Sequence, residues 1–135
     1  MNFPLNHGLH KTGLPLIVVN LFGNDICLML DTGSNQNIID NGIYEHFKDK
    51  LSLSATSSRE IIGLNGVSAN GGAMVNLTFT FENQEYDEPF ACSDTTEAFE
   101  HIEKESGIRI YGIIGNHFFL KHGWILDFEK ITVYK

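Results

Sequence analysis

Five apolar residues, Ile26-Cys27-Leu28-Met29-Leu30, run directly into Asp31-Thr32-Gly33-Ser34. A short apolar run bounded by turn residues reads as a strand buried on both faces. Such a strand delivers the Asp31 carboxylate into a tight loop at the margin of a core. Gly33 lets the backbone bend back so that its N–H points at the carboxylate. Thr32 and Ser34 add hydroxyls beside it. Alone, the tetrapeptide is also what a plain strand-ending turn looks like, because Asp and Gly are common in turns. A second segment far downstream raises it above that reading: Gly112-Ile113-Ile114-Gly115-Asn116-His117-Phe118-Phe119-Leu120, an apolar strand, a Gly and a short helix.

The rest of the chain reads as mostly β. Residues 1–13 are expected as a loosely structured arm. Leu14 to Phe22 and Ile26 to Leu30 form a strand pair around the turn Gly23-Asn24-Asp25, and Asn37-Ile38-Ile39 is a short strand after the Asp31 loop. Ile43, Tyr44 and Phe47 give Asn41 to Lys50 one apolar helical face. Asn65-Gly66 is a strong hairpin-turn dipeptide. Ala73 to Phe81 alternates, with Val75, Leu77, Phe79 and Phe81 on one face, and Glu85 to Ala91 returns from it. Thr95 to Ser106 reads as a helix with Asp94 as N-cap and Gly107 just past its end. Ile108 to Ile114 is a strand and Asn116 to His122 a helix stopped by Gly123. Trp124 to Phe128 and Ile131 to Tyr134 form the last strand pair, with Ile131 to Tyr134 presenting an open edge.

Length and composition narrow the function. The 135 residues fit one domain over 1–135, and 42% hydrophobic residues with ten Phe supply a core. A net charge of −8 demotes nucleic-acid binding. The sequence contains no apolar run long enough to cross a membrane as a helix, and Met1 to Gly13 lacks the apolar stretch of a signal peptide. Cys27 and Cys92 are the only cysteines. With no secretory signal they point to a reducing, cytoplasmic setting. His7 with His10, or His117 with His122, lack the Cys or paired acid that would complete a metal set, so no metal or other cofactor is expected. The sequon Asn76-Leu77-Thr78 falls mid-strand, and Glu97, Glu100, Glu103 and Glu105 read as a solvated helix face. Ser34 has no nearby His to activate it as a nucleophile.

Asp31-Thr32-Gly33-Ser34 together with Ile113-Ile114-Gly115 and its following helix resembles the active-site scaffold of the retropepsins, the retroviral-type aspartic proteases. The likeness spans about Leu14 to Tyr134. It implies a mostly β, single-lobe acid-protease fold: a closed barrel with a flap hairpin and two or three short helices. It implies an aspartic endopeptidase with Asp31 catalytic and Thr32, Gly33 and Ser34 as the active-site loop. Thr32 would bond across to a partner backbone, and Ser34 would donate to the outer carboxylate oxygen. Ile62, Gly63, Leu64, Asn65 and Gly66 resemble the flap. With Asn35 and Ile114 they would contact a peptide or protein substrate. One Asp-Thr-Gly supplies half of a catalytic pair, so the second Asp31 would come from another copy in a homodimer, whose terminal strands interleave in the family.

Some positions depart from the viral pattern. Many viral members carry an acid after the Asp-Thr-Gly-Ala/Ser motif and an Arg after the Ile-Ile-Gly, where this chain has Asn35 and Asn116. The helix over Thr95 to Ser106 looks like an insertion. The pattern is closer to bacterial and cellular retropepsin-like chains than to viral ones. Two alternatives stand beside the protease: a catalytically weak retropepsin-like module that binds peptides or dimerises, and half of a two-lobed pepsin-like enzyme. Against the latter, no Tyr lies between Arg59 and Asn70, where the pepsin-type flap usually carries one.

Overall fold

The computed structural model describes residues 1–53, 60–61, 69–70 and 73–135. In chain order its elements are β1 (Asn2–Pro4), α1 (Asn6–Thr12), β2 (Leu16–Leu21), β3 (Asn24–Leu30), β4 (Ile38–Asp40), α2 (Asn41–Phe47), β5 (Ser52–Leu53), β6 (Glu60–Ile61), β7 (Ala69–Asn70), β8 (Met74–Phe81), β9 (Gln84–Ser93), α3 (Thr96–Ser106), β10 (Gly112–Ile114), α4 (Asn116–His122), β11 (Ile125–Asp127) and β12 (Thr132–Tyr134). A 3-10 turn, Lys48–Lys50, extends α2.

Six strands close into a barrel in the order β2-β3-β10-β4-β9-β8, and β2 meets β8 at Asn20 opposite Thr80. β5 shares that same edge of β8, pairing Leu53 with Val75. Two hairpins of the barrel turn through residues with positive φ: Phe22 and Gly23 at 51° and 83°, Glu82 and Asn83 at 48° and 64°. This backbone twist matches that of the flanking strands, which is why such turns recur in tight hairpins.

The centre of the barrel is the parallel pair of β3 and β10, with Leu28 opposite Gly112 and Leu30 opposite Ile114. β10 also pairs antiparallel with β4, which runs parallel to β9. Parallel strands of this kind are covered on both faces and need apolar residues at every position. One face joins the main core with Leu28, Leu30, Ile39 and Ile114. The other, with Ile38 and Ile113, packs under Phe99 of α3. The acidic face expected of α3 is exposed. The helix's apolar side, with Ala98, Phe99 and Ile102, covers the sheet. Rings from separate elements meet in the main core: Phe118 and Trp124 lie edge-on at 4.8 Å, and Phe79 stacks on Tyr86 at 5.4 Å.

Several sequence expectations shift. Residues 1–13 are not a loose arm. Asn2–Pro4 pairs with Thr132–Tyr134, and Asn6–Thr12 is a helix whose C-cap is Gly13 at φ 76°. β12 therefore has no open edge. It lies between β1 and β11, and Ile131 precedes it at φ 53°. The strand expected from Ile108 begins only at Gly112; just before it the Tyr111 N–H donates to the Cys27 carbonyl and the Tyr111 carbonyl accepts the Asp40 N–H. The N-cap of α3 is Thr95, whose N–H and hydroxyl both donate to buried Asp40 at 2.9 Å. Asp94 instead accepts the Thr96 N–H at 3.0 Å. That bond holds its carboxyl below the usual range.

Candidate active site

Asp31 sits where β3 leaves the barrel. Its N–H donates to the Ile114 carbonyl at 3.0 Å, extending the β3–β10 ladder by one rung into the loop. The carboxylate is partly exposed, and its Oδ1 accepts the Gly33 N–H at 2.9 Å. A Cβ on Gly33 would lie 3.2 Å from that same oxygen, so a bare glycine fits best there. The turn closes with the Ser34 N–H on the Asp31 carbonyl at 3.1 Å. Thr32 and Gly33 are exposed at its tip.

Ser34 departs from its expected role. It is fully buried, and its hydroxyl donates to the Gln36 carbonyl at 2.7 Å, not to the carboxylate. Its job is to hold the descending limb of the loop. The Ser34 carbonyl in turn accepts the Asn116 N–H at 2.8 Å.

The Ile-Ile-Gly segment lies against this limb. A Cβ on Gly115 would collide with the Gln36 carbonyl oxygen and would lie 2.9 Å from the Ser34 carbonyl oxygen. Gly112 is held in the same way against the Ile38 carbonyl. Two backbones pass at a distance only glycine permits. Ile114, expected to touch substrate, has no exposed surface and packs in the core. What it gives the site is its carbonyl. Asn35 is partly buried on the loop. The proposed flap residues Ile62, Gly63, Leu64, Asn65 and Gly66 lie outside the described residues. Among the described residues, Glu60 pairs with Asn70 and Ile61 with Ala69 in an antiparallel ladder.

Two residues near the loop carry weight that sequence reasoning missed. Asn37, buried in the exit from the loop, accepts the Gly115 N–H through Oδ1 at 2.9 Å and donates through Nδ2 to the Pro89 carbonyl at 3.3 Å. Glu88 is 5% exposed yet ionisable. Its Oε1 lies 2.6 Å from His122 Nε2 and 2.9 Å from Lys121 Nζ, tying β9 to α4. Alternation along β9 held the signal: Tyr86, Glu88 and Phe90 fall on one face, and that face is buried.

The architecture is that of the retropepsin-like single-lobe acid-protease fold: mostly β, a closed barrel, a few short helices, and an Asp-Thr-Gly loop braced by a Gly-containing strand–helix segment. Among solved structures, the chain is similar to the retroviral protease-like domain of Ddi1 from Leishmania major, with a TM-score of 0.57 at 8% identity over 90% of this chain and 86% of that one. It is also similar to EIAV protease in complex with the inhibitor HBY-793, with a TM-score of 0.54 at 15% identity over 82% of this chain and 88% of that one. No protein-family model and no curated protein matches the sequence.

Proposed function

We propose that this chain is an aspartic endopeptidase that works as a homodimer. The observation that carries the reading is the Asp31 carboxylate, partly exposed at the end of a buried strand and oriented by the Gly33 N–H. Two such carboxylates brought together share one proton, as in the aspartic-protease dyad that serves as the general example of this coupling. One then acts as base on a water and the other as acid toward the scissile carbonyl and the leaving nitrogen. Thr32, exposed at the loop tip, would bond to the partner chain, as the resemblance implies. Extended peptides with apolar side chains beside the cut are the preferred substrates, bound by main-chain bonds as an added strand, as the resemblance implies.

The test is cleavage of a mixed peptide library by the purified chain and by Asp31→Asn. The wild-type chain cleaves and the variant, folded to the same melting temperature, does not. Equal cleavage by both sinks the reading. A second reading, a peptide-binding or dimerising module with little turnover, is favoured by the neutral Asn35 and Asn116 where viral relatives carry charges. In that case peptides bind but neither protein cleaves them.

A further inference from the structure

The Asp31 loop meets the segment Ile114-Gly115-Asn116 at its entry, in its descending limb and at its exit. At the entry the Asp31 N–H donates to the Ile114 carbonyl at 3.0 Å, and in the limb the Ser34 carbonyl accepts the Asn116 N–H at 2.8 Å. At the exit Asn37 Oδ1 accepts the Gly115 N–H at 2.9 Å. The first two are backbone bonds, which any side chains permit. The third exists because residue 37 is an asparagine. The bonds at entry and exit also share a partner, because the Ile114 carbonyl and the Gly115 N–H belong to one peptide unit. Such a unit is planar and stiff, so its C=O and N–H turn together. Whatever fixes the N–H also fixes the carbonyl that receives Asp31.

Asn37 is itself held in place. It is buried, its Nδ2 donates to the Pro89 carbonyl at 3.3 Å, and its own carbonyl accepts the Ala91 N–H at 2.9 Å, so β9 anchors it on two sides. The partners dictate which way its amide faces, because a backbone N–H only donates and a carbonyl only accepts. The position therefore calls for a short side chain with an acceptor and a donor side by side. Leu offers neither, and Asp would set an acceptor against the Pro89 carbonyl. With the Asn37 acceptor gone, the Gly115 N–H is left unpaired in a buried corner, which is costly. The Gln36 carbonyl oxygen lies against Gly115 and has a second lone pair to offer. A Gly115 N–H that turns toward it carries the Ile114 carbonyl away from Asp31.

We propose that Asn37 is a positioning residue: through the Ile114–Gly115 peptide it sets the direction of the Asp31 backbone, and with it the aim of the carboxylate. The proposal rests on the reading of Asp31 as the catalytic group. The Asn37 amide is taken up by Gly115 and Pro89, so it acts on Asp31 through the peptide and not by contact. A reacting group held out of line slows the chemical step, while peptide contacts made elsewhere persist. The effect of losing Asn37 therefore falls on kcat.

The experiment compares the wild type with Asn37→Leu, with Asn37→Ala, which deletes the same bonds without added bulk, and with Leu21→Ala as a destabilised control. Leu21 is buried and pairs with Asn24, at the end of the β2–β3 ladder away from Asp31. Amide hydrogen exchange, followed by NMR, needs no turnover. In both Asn37 variants the Gly115 and Asp31 amides exchange about tenfold faster relative to the amides of the β8–β9 ladder. In Leu21→Ala that ratio stays at its wild-type value. On peptides that the wild type cleaves, kcat per folded chain falls about tenfold or more in the Asn37 variants, with KM within about twofold. Leu21→Ala keeps the wild-type kcat. An Asp31 amide that stays protected once the Gly115 bond is gone overturns the proposal. So does a kcat that follows the folded fraction alone, and cleavage of that kind removes the positioning role while leaving the protease. A wild type that cleaves nothing, while the two amides respond together, removes the protease and leaves the hold of Asn37 on Asp31 in place.

Discussion

Asn37 Oδ1 accepts the backbone N–H of Gly115 at 2.9 Å, a bond between residues 78 apart in the chain. It fixes the exit of the Asp31 loop to the strand–helix corner beneath it, and the Asn37 Nδ2 bond to Pro89 adds β9 to the same point. Asn37→Leu leaves the Gly115 N–H and the Pro89 carbonyl without partners in a buried setting. Each such group costs about 1–3 kcal/mol. Urea unfolding of the variant has a lower midpoint with an unchanged slope. A midpoint equal to wild type shows that water or a local shift replaces both bonds.

Gly115→Ala tests the close backbone passage. The added methyl meets the Gln36 carbonyl oxygen, backbone that cannot rotate away. Overpacking of this kind costs about 1–3 kcal/mol, occasionally more. The melting temperature falls, and peptide cleavage falls further than the loss of folded protein accounts for, because the displaced limb carries Asp31. Cleavage that tracks the folded fraction alone shows that the loop moves as a unit.

Burial pushes the thiols of Cys27 and Cys92 up to about 11 from an ordinary 9.0. The thiolate is the reactive form. At pH 8 both cysteines therefore alkylate with iodoacetamide about a hundredfold more slowly in the native protein than in urea. The unfolded chain releases these protons first as pH rises. The native state accordingly loses stability between about pH 9 and pH 11. Mass spectrometry over a time course reads the first effect and urea titrations at pH 8 and pH 10 the second. Fast native-state labelling of buried Cys92, or of partly buried Cys27, contradicts the raised thiol pKa.

A dyad shared between two copies of Asp31, as proposed, would make activity depend on concentration. Specific activity falls on dilution as the dimer dissociates. Sedimentation and cleavage measured over the same concentration range follow one curve. Undiminished activity per chain from a strictly monomeric protein refutes a shared dyad.

Much of this was legible in the sequence because it was written in local pattern. The run Ile26–Leu30 and the Ile113–Ile114 pair are apolar at every position, which only a strand covered on both faces demands, and they are partners in the barrel. The helices ending at Gly107 and Gly123 stop where the glycines turn left-handed, at 75° and 66°. The N-terminus was illegible for the opposite reason. Asn2-Phe3-Pro4 has no strand signature, and it becomes a strand only because Val133 and its neighbours lie alongside. Gly8 argues against helix α1 by propensity, yet a Cβ there would lie 3.0 Å from the Leu16 side chain, so glycine is what lets the helix settle on β2. The resemblance gives Ser34 to the carboxylate, and nothing local in the sequence says otherwise. Its fully buried hydroxyl is taken by Gln36, a partner that only the folded loop brings round.

The sheet of β1, β12 and β11 has a kinetic consequence. Every backbone partner that β12 needs comes from its own chain, with Asn2–Pro4 on one side and Ile125–Asp127 on the other. Association that uses β12 between chains must first strip one ladder and then rebuild it with the neighbour. Hydrogen bonds lost and gained are equal in kind, so the exchange is close to thermally neutral, and its pace is set by how often the first strand peels off. Freshly diluted monomers then assemble at a rate that ceases to rise with concentration once peeling is the slow step. A chain shortened before Leu5 would escape that delay while forfeiting the strand that makes the exchange worthwhile.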